Sequence, residues 1–275
     1  MTNAVIVSCT TTYDRLEVFY YAHQSFFRQT RIPDKVVLNI SHEPYLQDKG
    51  IKIIPDWLKE SSIEVNFVPN DGPYRKLVPT LQYAGEDDMV VTVDDDVIYS
   101  SKWLETLVME AEKNPDKIIA GSGREIRKNI FGTWQNYRNW KGIEERKSAF
   151  WILPTGHGGV LYRKSLLDME FLLDRDKYRN LAPTTDDVWF RMASMLKGAE
   201  VLVVPDNNSA NMTLNHKSGL EKINLLRNKG RGKALKEIYK IYSSICNYLG
   251  INNSRNDESW ENAYKYSKLR YEEKS

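Results

Sequence analysis

The sequence predicts an α/β fold, a mostly parallel central sheet flanked by helices with a helical C-terminal extension, and three observations predict it. Short β-rich apolar runs alternate with helical spacing from Ala4 onward. The run Met89 to Val93 is apolar apart from Thr92, as suits a strand buried on both faces. Polar and acidic residues crowd the ends of these runs, where ligands gather in open α/β sheets.

Ala4 to Ser8 reads as the first strand, followed by Thr10-Thr11-Thr12 and then apolar residues at Leu16, Phe19, Tyr20, His23, Phe26 and Phe27 with helical spacing. Pro33 and Asp34 break that pattern before a second strand, Val36 to Ile40, and a third, Ile63 to Val68. A short helix over Leu77 to Ala84 leads to the fourth strand, Met89 to Val93. A helix from about Lys102 to Lys113 and strands around Ile118 to Gly121 and Gly159 to Tyr162 extend the core. Residues 123 to 155 lack clean periodicity and read as loop-rich. Their Trp134, Tyr137, Trp140 and Trp151, interleaved with Arg and Lys, either stack on sugar rings or pack a long excursion against the core. Val188, Met192, Met195 and Leu196 place a helix after Asp186-Asp187, with Gly198 as its stop. Ala234 to Leu249 has the pattern of a basic amphipathic helix. From Lys217 to Lys240 eight basic residues face two acidic ones, which fits either an anionic surface or a solvated helix face.

A chain of 275 residues with 41% hydrophobic composition is long enough to bury one full α/β core, with a few dozen residues left over. Residues 1–215 are the expected catalytic domain and 216–275 the helical extension. The net charge of +2 gives no reason to expect nucleic acid. Cys9 and Cys246 form neither a metal-ligand spacing nor a disulfide framework, which suits a reducing compartment. No apolar run is long enough to span a membrane and the N-terminus has no secretion pattern, so a cytoplasmic location is expected, with peripheral attachment to the inner membrane face left open.

The chemistry begins at Val93-Asp94-Asp95-Asp96-Val97. Carboxylates at a strand end can hold Mg²⁺ or Mn²⁺, whose remaining positions go to water and phosphate oxygens, so a nucleoside diphosphate is the natural partner. The same acids would also serve as an acidic turn before the next helix. Asp186 and Asp187 open a helix, where the dipole alone accounts for one or both. Two acidic clusters with the Gly156-His157-Gly158-Gly159 loop between them nevertheless bring together a metal site, a backbone of close approach and a base.

These segments resemble a GT-A (Rossmann-like) glycosyltransferase of the family-2-like kind found in bacterial capsule and lipopolysaccharide biosynthesis. The resemblance runs through VSCTTTYDR, SFFRQTRIPDKVVLNIS, DGPYRKLVPTL, VTVDDDVIY, GHGGVLY, TTDDVWFRM and KGAEVLVVP, over residues 4 to 205. It implies a nucleotide held by Thr10, Thr11 and Arg15 after the first strand. Asn39 would meet the base at the end of the second strand, where relatives usually carry an acid. Lys76, with Arg75 as second candidate, would face the donor phosphates, and Gly158 would offer close-approach backbone. Asp94 resembles the first acid of an Asp-x-Asp element, contacting ribose or metal; Asp96 resembles the main metal ligand, with Asp95 between them. Thr-Asp-Asp resembles the Thr-Glu-Asp of inverting enzymes, which makes Asp187 the base and Asp186 an orienting group. His216 is the candidate third metal ligand, and His157 a candidate contact to phosphate or acceptor. His23 reads as a satisfied core residue, and nothing singles out His42.

The implied cofactor is Mn²⁺ or Mg²⁺ and the implied donor a nucleotide sugar, UDP-linked by resemblance. The implied acceptor is a glycan or lipid-linked oligosaccharide, with the basic C-terminal helix as a route to the membrane surface. Two competing classes are a haloacid-dehalogenase-type phosphohydrolase and a non-catalytic carbohydrate-binding protein. The first would want an aspartate nucleophile after the first strand, where threonines stand, and the second would tolerate loss of Asp96 and Asp187.

Overall fold

A computed structural model describes residues 3–205, 211–214, 244–251 and 254–274, with side chains to Arg270. Its sheet explains why the chemistry collects at one end. Strand β1 (Val5–Cys9) is wholly buried, and it pairs in parallel with β2 (Lys35–Ile40) on one side. Between them runs helix α1 (Leu16–Ala22), which tightens into a 3-10 segment at His23–Phe27. Helix α2 (Asp56–Lys59) precedes β3 (Glu64–Phe67), which pairs in parallel with β2. A 3-10 turn at Gly72–Lys76 and helix α3 (Val78–Tyr83) lead to β4 (Met89–Thr92), parallel to β1 on its other side. The strand order reverses between β1 and β4. A crevice opens at such a switch point, and the loops carrying Thr10–Thr12 and Asp94–Asp96 both emerge there.

After β5 (Val97–Ile98), helix α4 (Trp103–Lys113) buries Trp103, Leu104, Leu107, Val108 and Ala111, the stripe that 3.6 residues per turn puts on one face. The excursion expected to be loop-rich is largely irregular, but four short strands punctuate it. Following β6 (Lys117–Ala120), strands β7 (Gly123–Glu125), β8 (Lys141–Gly142) and β10 (Ile152–Pro154) form a small antiparallel sheet, and β9 (Lys147–Ala149) edges the main one. Strands of two or three residues are too short to show a period-2 pattern, which is why sequence periodicity missed them. Strand β11 (Val160–Tyr162) runs antiparallel between β4 and β6. Its start therefore lies beside the ends of its neighbours, and the Gly156–Gly159 loop preceding it joins the two loops already gathered there. The eight-stranded order is β3-β2-β1-β4-β11-β6-β12-β9.

Helices α5 (Met169–Leu172), α6 (Arg175–Leu181) and α7 (Asp186–Leu196) then cover one face, before β12 (Glu200–Val203) pairs in parallel with β6. Strand β13 (Met212–Thr213) returns to pair with β5, and the Leu214 N–H donates to the Asp96 carbonyl at 2.7 Å. Side chains of β1 alternate: Val5 and Val7 join a core with α1 and α4, while Ile6 joins the opposite core with α3 and α7. That second core also holds Trp260 and Ala263 of the C-terminal helix Arg255–Lys274. Trp134 and Trp140 pack edge-on against Trp260 at 5.5 and 5.0 Å, so these two aromatics serve packing. His23 is buried, bonded to the Phe19 carbonyl and stacked on Trp57, as a core histidine should be. No described helix is long and apolar enough to cross a membrane. His216, the basic run Lys217–Lys240 and most of the expected helix Ala234–Leu249 lie outside the described residues.

Candidate active site

Lys76 is the hub of the site. The 3-10 turn Gly72–Lys76 ends by burying its side chain, and the ammonium lies 2.8 Å from Asp186 Oδ2, 3.4 Å from Asp94 Oδ1 and 3.6 Å from Asp187 Oδ1. Burial alone would lower the pKa of this lysine. The surrounding carboxylates of Asp186, Asp187 and Asp94 outweigh it and hold the ammonium charged, well above the ordinary lysine range. The two acidic clusters, ninety residues apart in sequence, thus meet on one cation.

Asp186 and Asp187 occupy the first turn of α7, whose N-cap Thr185 makes no side-chain cap bond. The two aspartates are turned to Lys76 and the glycine loop. Asp187 Oδ2 accepts the Gly156 N–H at 3.1 Å. Burial pushes the Asp187 carboxyl up, Lys76 pulls it down, and Asp186 and Asp94 push it up again, leaving it at about 7. A carboxylate poised there can take a proton near neutral pH. Its side chain keeps 28% of its surface exposed, so a substrate hydroxyl has access to it.

Gly156 is the glycine the cluster demands. A Cβ there would stand 2.7 Å from Lys76 Nζ and 2.9 Å from Asp94 Oδ1. Gly158 packs backbone to backbone, with the Ser122 nitrogen 2.4 Å from where its Cβ would be, and its carbonyl accepts the Trp103 indole N–H at 2.7 Å. Gly159 has φ +76°, and a Cβ would strike the Trp103 ring at 2.3 Å. The histidine of this loop, His157, is exposed and its Nδ1 lies 3.4 Å from the Thr213 hydroxyl.

The acid triplet divides its work. Asp95 is buried, accepting from the Thr11 hydroxyl at 2.6 Å and from Arg15 Nε at 2.8 Å, so it fastens the loop after β1 to the loop after β4. Arg15 also reaches Asp96 at 3.2 Å; burial works against its charge, but Asp95 and Asp96 overcome that and raise its pKa. Asp94 and Asp96 keep 32% and 17% of their side-chain surface exposed. The Asp94 N–H donates to the Tyr99 hydroxyl at 3.2 Å, a contact no sequence signal announced. Asn39 is fully buried, with its amide donating to Thr80 and Ser8, and the Thr10 hydroxyl donates to the Asn39 carbonyl at 2.7 Å. Arg75 is buried in an ion pair with Asp48 at 2.8 Å, bracing residues 41–50.

The donor set suits a hard cation. Asp94 and Asp96 are partly exposed carboxylates, and among the described residues five carboxylates share the site with the cations of Lys76 and Arg15. A divalent cation bound there would offset part of that negative charge. Among the described residues no group of three or more His, Cys, Asp or Glu forms a cage. One or two carboxylates plus phosphate oxygens and water is the usual Mg²⁺ arrangement.

The model of glycosyl transferase family 2 matches residues 9–170, more than half of the chain and including the loop after β1, the acid triplet and the glycine loop. The chain belongs to glycosyl transferase family 2. Its fold is the mixed α/β sheet of GT-A enzymes, and the protein is a glycosyltransferase. Similar solved structures include 4-diphosphocytidyl-2C-methyl-D-erythritol synthase, at 15% identity and a TM-score of 0.46, covering 78% of this chain and 94% of that one. They also include S. aureus TarS 1-349, at 18% identity and a TM-score of 0.47, covering 75% of this chain and 59% of that one. The complex of TarS 1-349 with UDP matches at 16% identity and a TM-score of 0.44, covering 75% and 58%. No curated protein matched the sequence. In this glycosyltransferase a surface cavity of about 690 Å³ between α5, α6 and the C-terminal helix, lined by Glu170, Asp174, Lys177 and Arg270, contains none of the site residues.

Proposed function

We propose that this family 2 glycosyltransferase moves a sugar from a nucleoside diphosphate donor, UDP-linked, to a hydroxyl of a glycan or lipid-linked glycan, with inversion at the anomeric carbon. The observation that carries this reading is the convergence of Asp94, Asp186 and Asp187 on buried Lys76, with Asp187 poised near neutrality. Asp187 takes the proton of the acceptor hydroxyl as that oxygen bonds to the anomeric carbon, and the bond from that carbon to the diphosphate oxygen breaks with its electron pair leaving on the diphosphate. No proton is needed by the leaving group, because positive charge receives it. Lys76 supplies part of that charge, exchanging a carboxylate for a phosphate oxygen as the donor enters. Asp186 holds Lys76 and orients the acceptor side. Asp94 and Asp96 would hold Mn²⁺ or Mg²⁺, which when bound offsets the carboxylates and stabilises charge on the departing diphosphate.

Thr10, Thr11, Arg15 and Asp95 are proposed to frame the nucleotide, and Asn39 to hold the loop beneath its base. Gly158 shapes the loop beside the donor. His216 is kept as the third metal ligand because Leu214, two residues before it, already bonds to the Asp96 carbonyl. The proposed setting is polysaccharide assembly at the cytoplasmic face of the membrane. The test is a calorimetric titration of UDP with Mn²⁺ present and again after chelation, on the wild type and on Asp96→Asn. Metal-dependent heat that is lost in the variant is expected. Absence of UDP binding under both conditions would refute the UDP donor.

A further inference from the structure

Ile130 and Phe131 are 81% and 71% exposed, yet they do not sit on a loose loop. They cap the turn between Lys128 and Trp134, which pair in an antiparallel bridge. Asn129 organises the turn: its Oδ1 accepts from the N–H groups of Phe131 and Thr133, and its Nδ2 donates to the Thr133 hydroxyl. Gly132 supplies the left-handed step at φ +78°. The segment 244–251 buttresses the turn from below, where the Tyr248 hydroxyl accepts the Ile130 N–H at 3.2 Å and the Tyr248 carbonyl accepts from Asn129. The turn is heavily bonded, and it presents two adjacent large apolar side chains to water.

The surroundings narrow the choice of partner. Below the apex the Lys128 ammonium lies over the Trp134 ring at 4.4 Å, Trp134 meets Trp151 at 5.3 Å, and Trp151 is 40% exposed. Ile245 and Ile251, in the buttressing segment, are 53% and 62% exposed. Exposed isoleucine and phenylalanine beside tryptophan and lysine are the residue types that the interface of a bilayer favours. The excursion 123–147 that carries the turn holds seven Lys and Arg against three Glu; of these cations Arg127 and Lys147 pair with Glu125 and Arg146 with Glu110, while Lys128 stands at the base of the turn itself. We infer that Ile130 and Phe131 form the apex of a docking surface that inserts into an anionic lipid bilayer. The site lies within reach: Ile130 is seven residues from Gly123, beside the Ser122 and Gly158 contact, hence at most about 25 Å away along the chain. The choice of a bilayer rests on the lipid-linked acceptor proposed above, whereas the exposed apex does not.

The test needs neither donor nor acceptor. Wild type, Ile130→Ser/Phe131→Ser and Ile53→Ser, which alters an equally exposed residue outside the turn, are sedimented with vesicles of phosphatidylcholine alone and of phosphatidylcholine doped with phosphatidylglycerol. Wild type and Ile53→Ser should partition onto the doped vesicles. The double variant should lose about tenfold or more of that partitioning, with its melting temperature and its UDP titration unchanged. Equal partitioning of the double variant, or none by wild type, overturns the inference. So does a wild-type dimer that the double variant abolishes without altered partitioning, since the apex would then meet a second copy. A failed UDP titration with intact vesicle binding would refute the proposed donor and leave the docking surface standing.

Discussion

Asp187 and Lys76 set each other's charge, and this gives the residue scale two tests. The Lys76 ammonium pulls the Asp187 pKa down against burial, so removing it leaves the base more basic. In Lys76→Met the acidic limb of the kcat/KM profile should move upward by roughly one pH unit, which initial rates across pH would show. The second test is stability. A carboxyl raised to about 7 binds its proton more tightly folded than unfolded, so between its ordinary range and about 7 stability falls as pH rises. Asp187→Asn deletes that unfavourable slope. Its melting temperature should exceed that of wild type at about pH 8, with the gain shrinking toward about pH 5. Both acid clusters were legible in the sequence, because three adjacent aspartates at a strand end and a Thr-Asp-Asp at a helix start are local patterns. Their meeting on one lysine was not, since it depends on the antiparallel placement of β11 and the turn at Lys76. Asn39 shows the same limit: its position at a strand end was readable, but the inward turn of its amide was not.

At the scale of elements, the glycine loop separates function from folding. Gly156→Ala places a methyl group against the flexible ends of Lys76 and Asp94, so the fold should survive while turnover drops, by about tenfold to a hundredfold. Gly159→Ala meets a positive φ and the indole of Trp103 together, neither of which yields easily. A loss of about 2–4 kcal/mol in urea denaturation is expected there. The sequence showed four residues of glycine-rich loop, but which glycine faces the carboxylates depends on the register of Val160 opposite Thr92. Strands β1, β2, β4 and β6 and helices α4 and α7 fell within a residue or two of their expected positions, since each buries a long apolar face. The short strands β7 to β10 did not, because pairing partners far along the chain define them more than their own residues do.

The whole molecule is held by more than its sheet. Trp260, 1% exposed, joins Trp134, Trp140 and Tyr264, so the C-terminal helix closes one of the two cores. Trp260→Ala should cost about 3–5 kcal/mol, measured by chemical denaturation, while UDP affinity in the remaining folded protein stays near that of wild type. The aromatic and basic excursion thereby has two roles, packing through Trp134 and Trp140 and, as inferred, docking through Ile130 and Phe131. Sequence reading offered only sugar stacking or core packing for it, because exposure is a property of the assembled turn.

The central claim is that Asp187 acts as the base in a site that binds its donor by other groups. Its most direct test pairs donor affinity with turnover in Asp187→Asn, using a nucleotide sugar that the wild type consumes. Affinity within about threefold of wild type and turnover reduced by about 10³ or more is the predicted result. Turnover near the wild-type rate in that variant would contradict the claim.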